Sequence, residues 1–301
     1  MDRLKELLLG FANEDQMLIG EPMSRHTTFR VGGPADVLFM PRGPEEVRRA
    51  LDAAREVGVP AVVIGNGSNL IVRDGGIRGL VIALGDGMSR IARDGNVIEA
   101  QAGASLARVA AFAQEAGLSG LEFASGIPGT LGGGCAMNAG AYGGQLADVL
   151  IDAVVLLNGE TRTLARDELQ MGYRTSLPLR EGGVVLSARF ALDPGDPAEI
   201  AARMRELNAK RREKQPLNYP SAGSTFKRPE GYFAGALIEQ AELKGRAVGG
   251  AQVSEKHAGF IINTGTATAA DILALIAEVQ DAVRARFGVR LETEVRVLGE
   301  G

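Results

Sequence analysis

Apolar residues along the chain switch between two periods, and the switches mark out its elements. Val47, Leu51, Ala54 and Val57 recur every three to four residues behind Pro44, the spacing of one helical face with proline at its start. Ala35 to Met40 before this stretch and the β-branched Val59 to Ile64 after it read as strands, so the segment predicts a β-α-β unit. Residues 1–20 read as an amphipathic helix with a short lead-in. Short strands follow at Leu80 to Leu84 and Val97 to Gln101, then a helix capped by Ser105 with Leu106, Val109, Ala110, Ala113 and Leu118 on its apolar side. Strands resume at Ala153 to Leu157 and Gly183 to Phe190. Asp193-Pro194-Gly195-Asp196-Pro197 clusters turn residues and marks a boundary, after which a helix is predicted from Ala198 to Lys214, ended by Pro216. Another runs from Ala269 to Phe287, with Ile272, Leu275, Ile276, Val279 and Val283 on one face between a Thr268 cap and a Gly288 stop. The closing stretch Val289 to Leu298 alternates as a strand does, with Arg290, Glu292, Glu294 and Arg296 on the polar side.

Glycine changes this picture. The 41 glycines in 301 residues are about twice the usual share of about 7%, and they cluster. Gly65-Asn66-Gly67-Ser68-Asn69-Leu70 follows a strand, as a dinucleotide fingerprint would, but the third glycine is missing and Leu70-Ile71-Val72 reads as strand where a Rossmann arrangement needs a helix. The segment is either a tight loop whose amides form an anion nest or an ordinary glycine hairpin. Gly126 to Gly144 is denser still. It is too glycine-rich for a core element, and its backbone is expected to lie against a planar or phosphorylated ligand. Ile127, Leu131, Met137 and Tyr142 argue against a disordered linker, and the absence of a following Gly-Lys-Ser or Gly-Lys-Thr excludes a Walker loop.

Charge and rare residues narrow the function. A net charge of −4 and pI of about 5.5 exclude nucleic acid as the main partner. No apolar run reaches the roughly 18 residues of a membrane span, and the single cysteine, Cys135, fits a reducing cytoplasm. Only His26 and His257 are present, too few for a histidine metal site. Ser224-Thr225-Phe226-Lys227 has the serine-x-x-lysine spacing of penicillin-recognising acyl-enzymes, without their companion motifs. Composition and spacing alone define a soluble α+β protein that binds a phosphorylated ligand.

Eight motifs in order carry a resemblance. They are His26 to Ala35, Gly65 to Leu70, Gly126 to Gly133, Asn138 to Gly143, Tyr173 to Ser176, Ala222 to Lys227, Lys256 to Phe260 and Leu291 to Arg296. Together they resemble the UDP-N-acetylenolpyruvoylglucosamine reductase family, in its shorter-loop (type II) branch by the compact Tyr219-Pro220-Ser221 region. The resemblance implies a two-lobed FAD-binding domain of the vanillyl-alcohol oxidase and p-cresol methylhydroxylase type over residues 1–195, and a C-terminal α+β substrate domain over 196–301. It implies non-covalent FAD held by Arg30, Gly32, Gly33, Gly65, Asn66, Gly67, Ser68, Asn69, Leu70, Gly126, Ile127, Pro128, Gly129, Gly132, Gly133, Asn138, Gly140 and Ala141.

The resemblance also implies a chemistry, with NADPH as co-substrate and an enolpyruvyl UDP-sugar as substrate in the cytoplasm. Arg174 and Glu294 stand at the positions that stabilise developing negative charge, and Ser224 at that of the proton donor. Tyr173, Arg211, Lys227, Lys244 and His257 are the candidate substrate contacts. One departure bears on them: Ala236 stands where this branch often has lysine, which shifts the diphosphate contact onto Lys227, Lys244, Arg211 or Arg246. A flavin oxidase of the same fold, a Ser224/Lys227 acyl-enzyme and a non-catalytic sugar-nucleotide or flavin sensor are the competing readings.

Overall fold

The computed structural model describes residues 1–301, and its element boundaries follow local chemistry. The helix Ala269–Phe287 starts where Thr268 Oγ1 accepts from Asp271 N and stops at Gly288, whose φ is 70°. Ser105 caps Leu106–Glu115 by accepting from Arg108 N, and Pro44 opens Pro44–Glu56. The amphipathic start is shorter than its pattern predicts: Asp2–Leu9 is helix, and Met17–Pro22 is an edge strand.

The four-stranded sheet has the order Met17–Pro22, Pro34–Phe39, Ile77–Ala83, Ala61–Ile64. The predicted strand-helix-strand order is present, Pro34–Phe39, Pro44–Glu56 and Ala61–Ile64, with both strands in this one sheet. Ala61–Ile64 pairs in parallel with Ile77–Ala83, from Ala61 opposite Leu80 to Ile64 opposite Ala83, so the two strands flanking Pro44–Glu56 are not neighbours. The more thoroughly buried Ile77–Ala83 takes the inner place and Ala61–Ile64, open at Ala61, the edge.

Packing divides the chain into two compact units. The first comprises Met1–Leu18, Leu38–Asn66 and Gly79–Arg211. Its antiparallel sheet has the order Glu160–Ala165, Leu150–Leu157, Val184–Ala191, Val97–Gln101, Ile91–Asp94. Ile98, Ala100, Val155, Ala188 and Phe190 share a core with Val109, Ala110 and Ala113 of Leu106–Glu115. Cross-strand partners Asp152 and Arg189 form a bidentate pair, with Nε to Oδ1 at 2.9 Å. The helix Pro197–Lys214 places Leu207 in the same core. The division between compact units in this part of the chain falls between Arg211 and Arg212.

The second unit comprises Ile19–Val37, Gly67–Arg78 and Arg212–Gly301. Phe29, Val31, Ile71, Phe226, Val253, Leu291 and Val295 bury themselves with the apolar face of Ala269–Phe287. Asp74 stands at that helix's start, where its two carboxylate oxygens accept from Ala269 N and Ala270 N at 2.9 Å each, a charge placed to suit the helix dipole. The closing strand is shorter than its alternation predicts. Only Arg296–Leu298 forms a ladder, parallel to Leu70–Val72. Alternation reports which way side chains face and is satisfied by the buried Leu291 and Val295 without a continuous partner strand.

Candidate functional site

The two glycine segments meet within the first unit at Gly65 and Asn66. Asn66 Nδ2 donates to Pro128 O at 3.2 Å. A Cβ on Gly65 would lie 2.1 Å from Thr130 Oγ1, so a side chain there would force the Thr130 hydroxyl aside. Part of the second segment corrects its expected loop character, because Leu131–Ala136 is a short helix with Leu131, Gly132, Gly134 and Cys135 buried. A Cβ on Gly132 would sit 2.8 Å from Ala102 Cβ, and one on Gly134 3.0 Å from Leu106 Cδ1. Glycine serves here to bring a helix against its neighbours. Leu131 N and Gly132 N donate to Ala104 O and Ala102 O. Cys135 is packing, with burial pushing its thiol up to about 12.

Arg174 sits in a four-residue turn in which Gly172 N donates to Thr175 O at 3.0 Å and Thr175 N returns to Gly172 O at 3.3 Å. Its φ of 56° is left-handed, and its guanidinium stands 5.5 Å from the centre of the exposed Tyr173 ring. Asn138 is buried, and both hydrogens of its side-chain amide are committed within the chain, to Gln145 Oε1 and Gly172 O. Arg211 is half-buried beside the glycine segment, its Cδ 3.1 Å from where a Cβ on Gly126 would lie. Burial pulls its pKa below the ordinary arginine value, opposed by the nearby Tyr142 phenol.

In the second unit the glycine loop, Ser224 and Glu294 come together. Segments 225–227 and 292–294 run antiparallel: Lys227 N donates to Glu292 O and Glu294 N to Thr225 O, each at 2.8 Å, around the Phe226–Thr293 bridge. Asn69 closes on this bridge, with Nδ2 donating to Glu294 O at 3.0 Å and its carbonyl accepting from Arg296 N. A Cβ on Gly259 would lie 3.4 Å from Ser224 Oγ and 3.2 Å from His257 Nδ1, so Gly259 keeps the space shared by hydroxyl and imidazole. Gly259 N donates to His257 Nδ1 at 3.1 Å, which leaves the proton of the neutral ring on Nε2. Burial pushes this imidazole below its ordinary value, and Lys244 adds to the effect. Arg30, with φ 57°, is exposed between buried Phe29 and Val31. A Cβ on Gly32 would meet Val72 Cβ at 2.7 Å and one on Gly33 Asp74 O at 2.1 Å, so these glycines let the Arg30–Gly33 loop lie on the segment after Leu70.

The candidate cations divide. Lys227 Nζ lies 3.2 Å from Glu292, Lys244 Nζ 2.6 Å from Glu239, and Arg246 pairs with Glu278. Arg211 has no carboxylate partner within 4.0 Å. The non-helical segment around Ser224 also disposes of the acyl-enzyme reading. A serine-x-x-lysine pair acts from one helical turn, whereas here no helix carries Ser224 and Lys227, and Lys227 turns to Glu292. Two polar residues escaped the sequence reading: Thr225, whose Oγ1 accepts from Ile261 N, and Asn263, which donates to Phe29 O and accepts from Gly265 N and Ala267 N. Their signal is burial, which no sequence pattern displays.

The arrangement suits FAD. None of the main-chain N–H groups from Asn66 to Asn69 finds an acceptor in the chain, and Gly67 holds φ 60°, the geometry of an anion nest. Residues 35–165 match the FAD binding domain family, and residues 215–298 match the UDP-N-acetylenolpyruvoylglucosamine reductase C-terminal domain. Nest and match together define an FAD-dependent oxidoreductase of α+β fold. UDP-N-acetylenolpyruvoylglucosamine reductase of Agathobacter rectalis is 57% identical, with 94% of each chain covered, and that of Geobacillus kaustophilus 51%, with 99% of this chain and 98% of the relative covered. A crystal structure of UDP-N-acetylenolpyruvylglucosamine reductase from Thermus caldophilus matches with a TM-score of 0.80 at 37% identity, over 94% of this chain and 98% of that one. The chain belongs to the UDP-N-acetylenolpyruvoylglucosamine reductase family.

Proposed function

We propose that the chain uses FAD and NADPH to reduce the enolpyruvyl group of UDP-N-acetyl-3-O-(1-carboxyvinyl)glucosamine, giving UDP-N-acetylmuramate for peptidoglycan precursors. The observation that carries this reading is the join of the glycine loop to Glu294 through Asn69, and of Glu294 to Thr225 beside Ser224, in a chain of this family. Bound FAD supplies hydride transfer, from NADPH to the methylene carbon of the enol ether. The main chain of Arg30, Gly32, Gly33, of Gly65 through Leu70, and of Gly126, Ile127, Pro128, Gly129, Gly133, Gly140 and Ala141 holds the cofactor, with Gly132 and Asn138 shaping that wall.

Ser224 Oγ donates the proton to the carbon beside the carboxylate. Arg174 and Glu294 stabilise the charge that spreads into that carboxylate, the group property such a step needs. A serine hydroxyl is a weak acid that needs assistance from its neighbours, and the half-buried ring of His257 stands across Gly259 from it. Tyr173, Arg211, Lys227, Lys244 and His257 contact the sugar nucleotide, with Arg211, already free of a carboxylate, meeting a phosphate. No helix is long and apolar enough to cross a membrane, and the enzyme works in the cytoplasm. Residues 1–195 form the flavin part and 196–301 the substrate part in this reading, with Pro197–Lys214 packed into the former.

Anaerobic titration tests it. The purified protein is yellow, NADPH bleaches the flavin, and the enolpyruvyl sugar restores the colour. Protein that cannot be reconstituted with FAD, or reduced flavin that the sugar leaves unchanged, ends the reading; rapid oxygen consumption in place of sugar turnover indicates an oxidase.

A further inference from the structure

We infer that Asn138 is a positioning residue for Arg174, fixing the turn that carries it against the end of the glycine-rich helix. This rests on the role given to Arg174 above. The arginine holds φ 56°, a backbone conformation that a residue with a long side chain keeps only where its surroundings enforce it. Two reciprocal main-chain bonds close the turn between Gly172 and Thr175. Its anchor is Gly172 O, which also accepts from Asn138 Nδ2 at 3.2 Å.

The Asn138 amide cannot be reversed. Its second hydrogen goes to Gln145 Oε1 at 3.0 Å, and its Oδ1 accepts from Ala147 N at 3.0 Å. Turned over, it would set oxygen against two acceptors and nitrogen against a donor. Gln145 is oriented in turn by donating Nε2 to Asp148 Oδ1 at 3.0 Å. A second tie runs alongside, from Ser176 Oγ to Ala136 O at 2.8 Å. The stretch Ala136–Asn138 directly ends the helix Leu131–Ala136, so the helix and the Arg174 turn hold one another in register. Asparagine is tolerated at φ 43° for its own local reasons. That alone would be met equally by aspartate, whereas positioning needs the two donated hydrogens.

Asn138→Asp makes this distinction, since it keeps the acceptor for Ala147 N and loses both donors. Stopped-flow measurement of the two half-reactions in FAD-saturated protein is expected to show reoxidation by the enolpyruvyl sugar slowed on the order of tenfold more than flavin reduction by NADPH. In an Arg174→Ala background the same change is expected to add little, because its effect passes through the arginine. Equal slowing of both half-reactions, or full additivity with Arg174→Ala, overturns the inference alone. Unchanged reoxidation in Arg174→Ala overturns the reading of Arg174, and this inference with it. If Asn138→Asp does not fold, Gln145→Leu, which removes the brace on the amide, makes the same test: selective slowing of reoxidation supports positioning, and equal slowing or none overturns it.

Discussion

Ser224 and His257 both border Gly259, and two predictions follow from their chemistry. Ser224→Ala removes the proposed proton donor and leaves everything that meets NADPH. Flavin reduction should proceed normally while the second half-reaction falls by about 10²–10⁴-fold; equal loss in both would contradict the assignment. His257 is held below its ordinary value of 6.5, first by burial and then by Lys244. Above pH 6.5 both folded and unfolded chains carry the neutral ring and the residue contributes no pH dependence. Below it the unfolded chain takes up the proton first, so stability falls as pH falls. Protonation also removes the Nδ1 acceptor used by Gly259 N. Urea unfolding of His257→Gln should therefore lose less stability than the parent between pH 7 and 5.

At the scale of elements, two tight approaches and one cap set the geometry. Gly67 combines φ 60° with a site where a Cβ would lie 2.0 Å from His26 O. Gly67→Ala should cost more than about 1 kcal/mol and weaken FAD binding, read by urea unfolding and by flavin retention on a desalting column. Gly132→Ala puts a methyl 2.8 Å from Ala102 Cβ and should displace the helix Leu131–Ala136, lowering FAD affinity while far-ultraviolet circular dichroism stays unchanged. Thr268→Ala removes the side-chain cap of Ala269–Phe287, for a loss of about 1 kcal/mol. Its effect stays moderate because Asp74 still meets Ala269 N and Ala270 N.

For the whole molecule, FAD links the loops to global stability. A ligand that binds only the folded chain raises stability with its concentration, by about 2.7 kcal/mol at 100 times Kd. Flavin-free protein should melt below the reconstituted form in differential scanning fluorimetry, and the gap should widen with added FAD. A melting temperature indifferent to FAD would separate the glycine loops from the cofactor.

Much of this architecture can be read from neighbours in the chain. The bounds of Ala269–Phe287 and the start of Leu106–Glu115 follow from capping residues and helical period, and Val97–Gln101 from alternation. These are local effects, since backbone donors and side-chain caps lie within four residues of each other. The glycine segments and the catalytic candidates are equally visible as motifs. Placement of strands is not, because Ile77–Ala83 enters between Pro34–Phe39 and Ala61–Ile64 through long-range burial that residue order does not encode. The same holds for the packing of Pro197–Lys214 with the first unit, and for the helix formed at Leu131–Ala136 despite three consecutive glycines. Tertiary structure alone decided that Asn69 clasps Glu294, that Lys227 turns to Glu292, and that Asn138 gives its amide to the Arg174 turn. Hydrogen bonds have direction and short reach, so a residue's type says what it can bond, and only the folded chain says which partner stands within 3 Å.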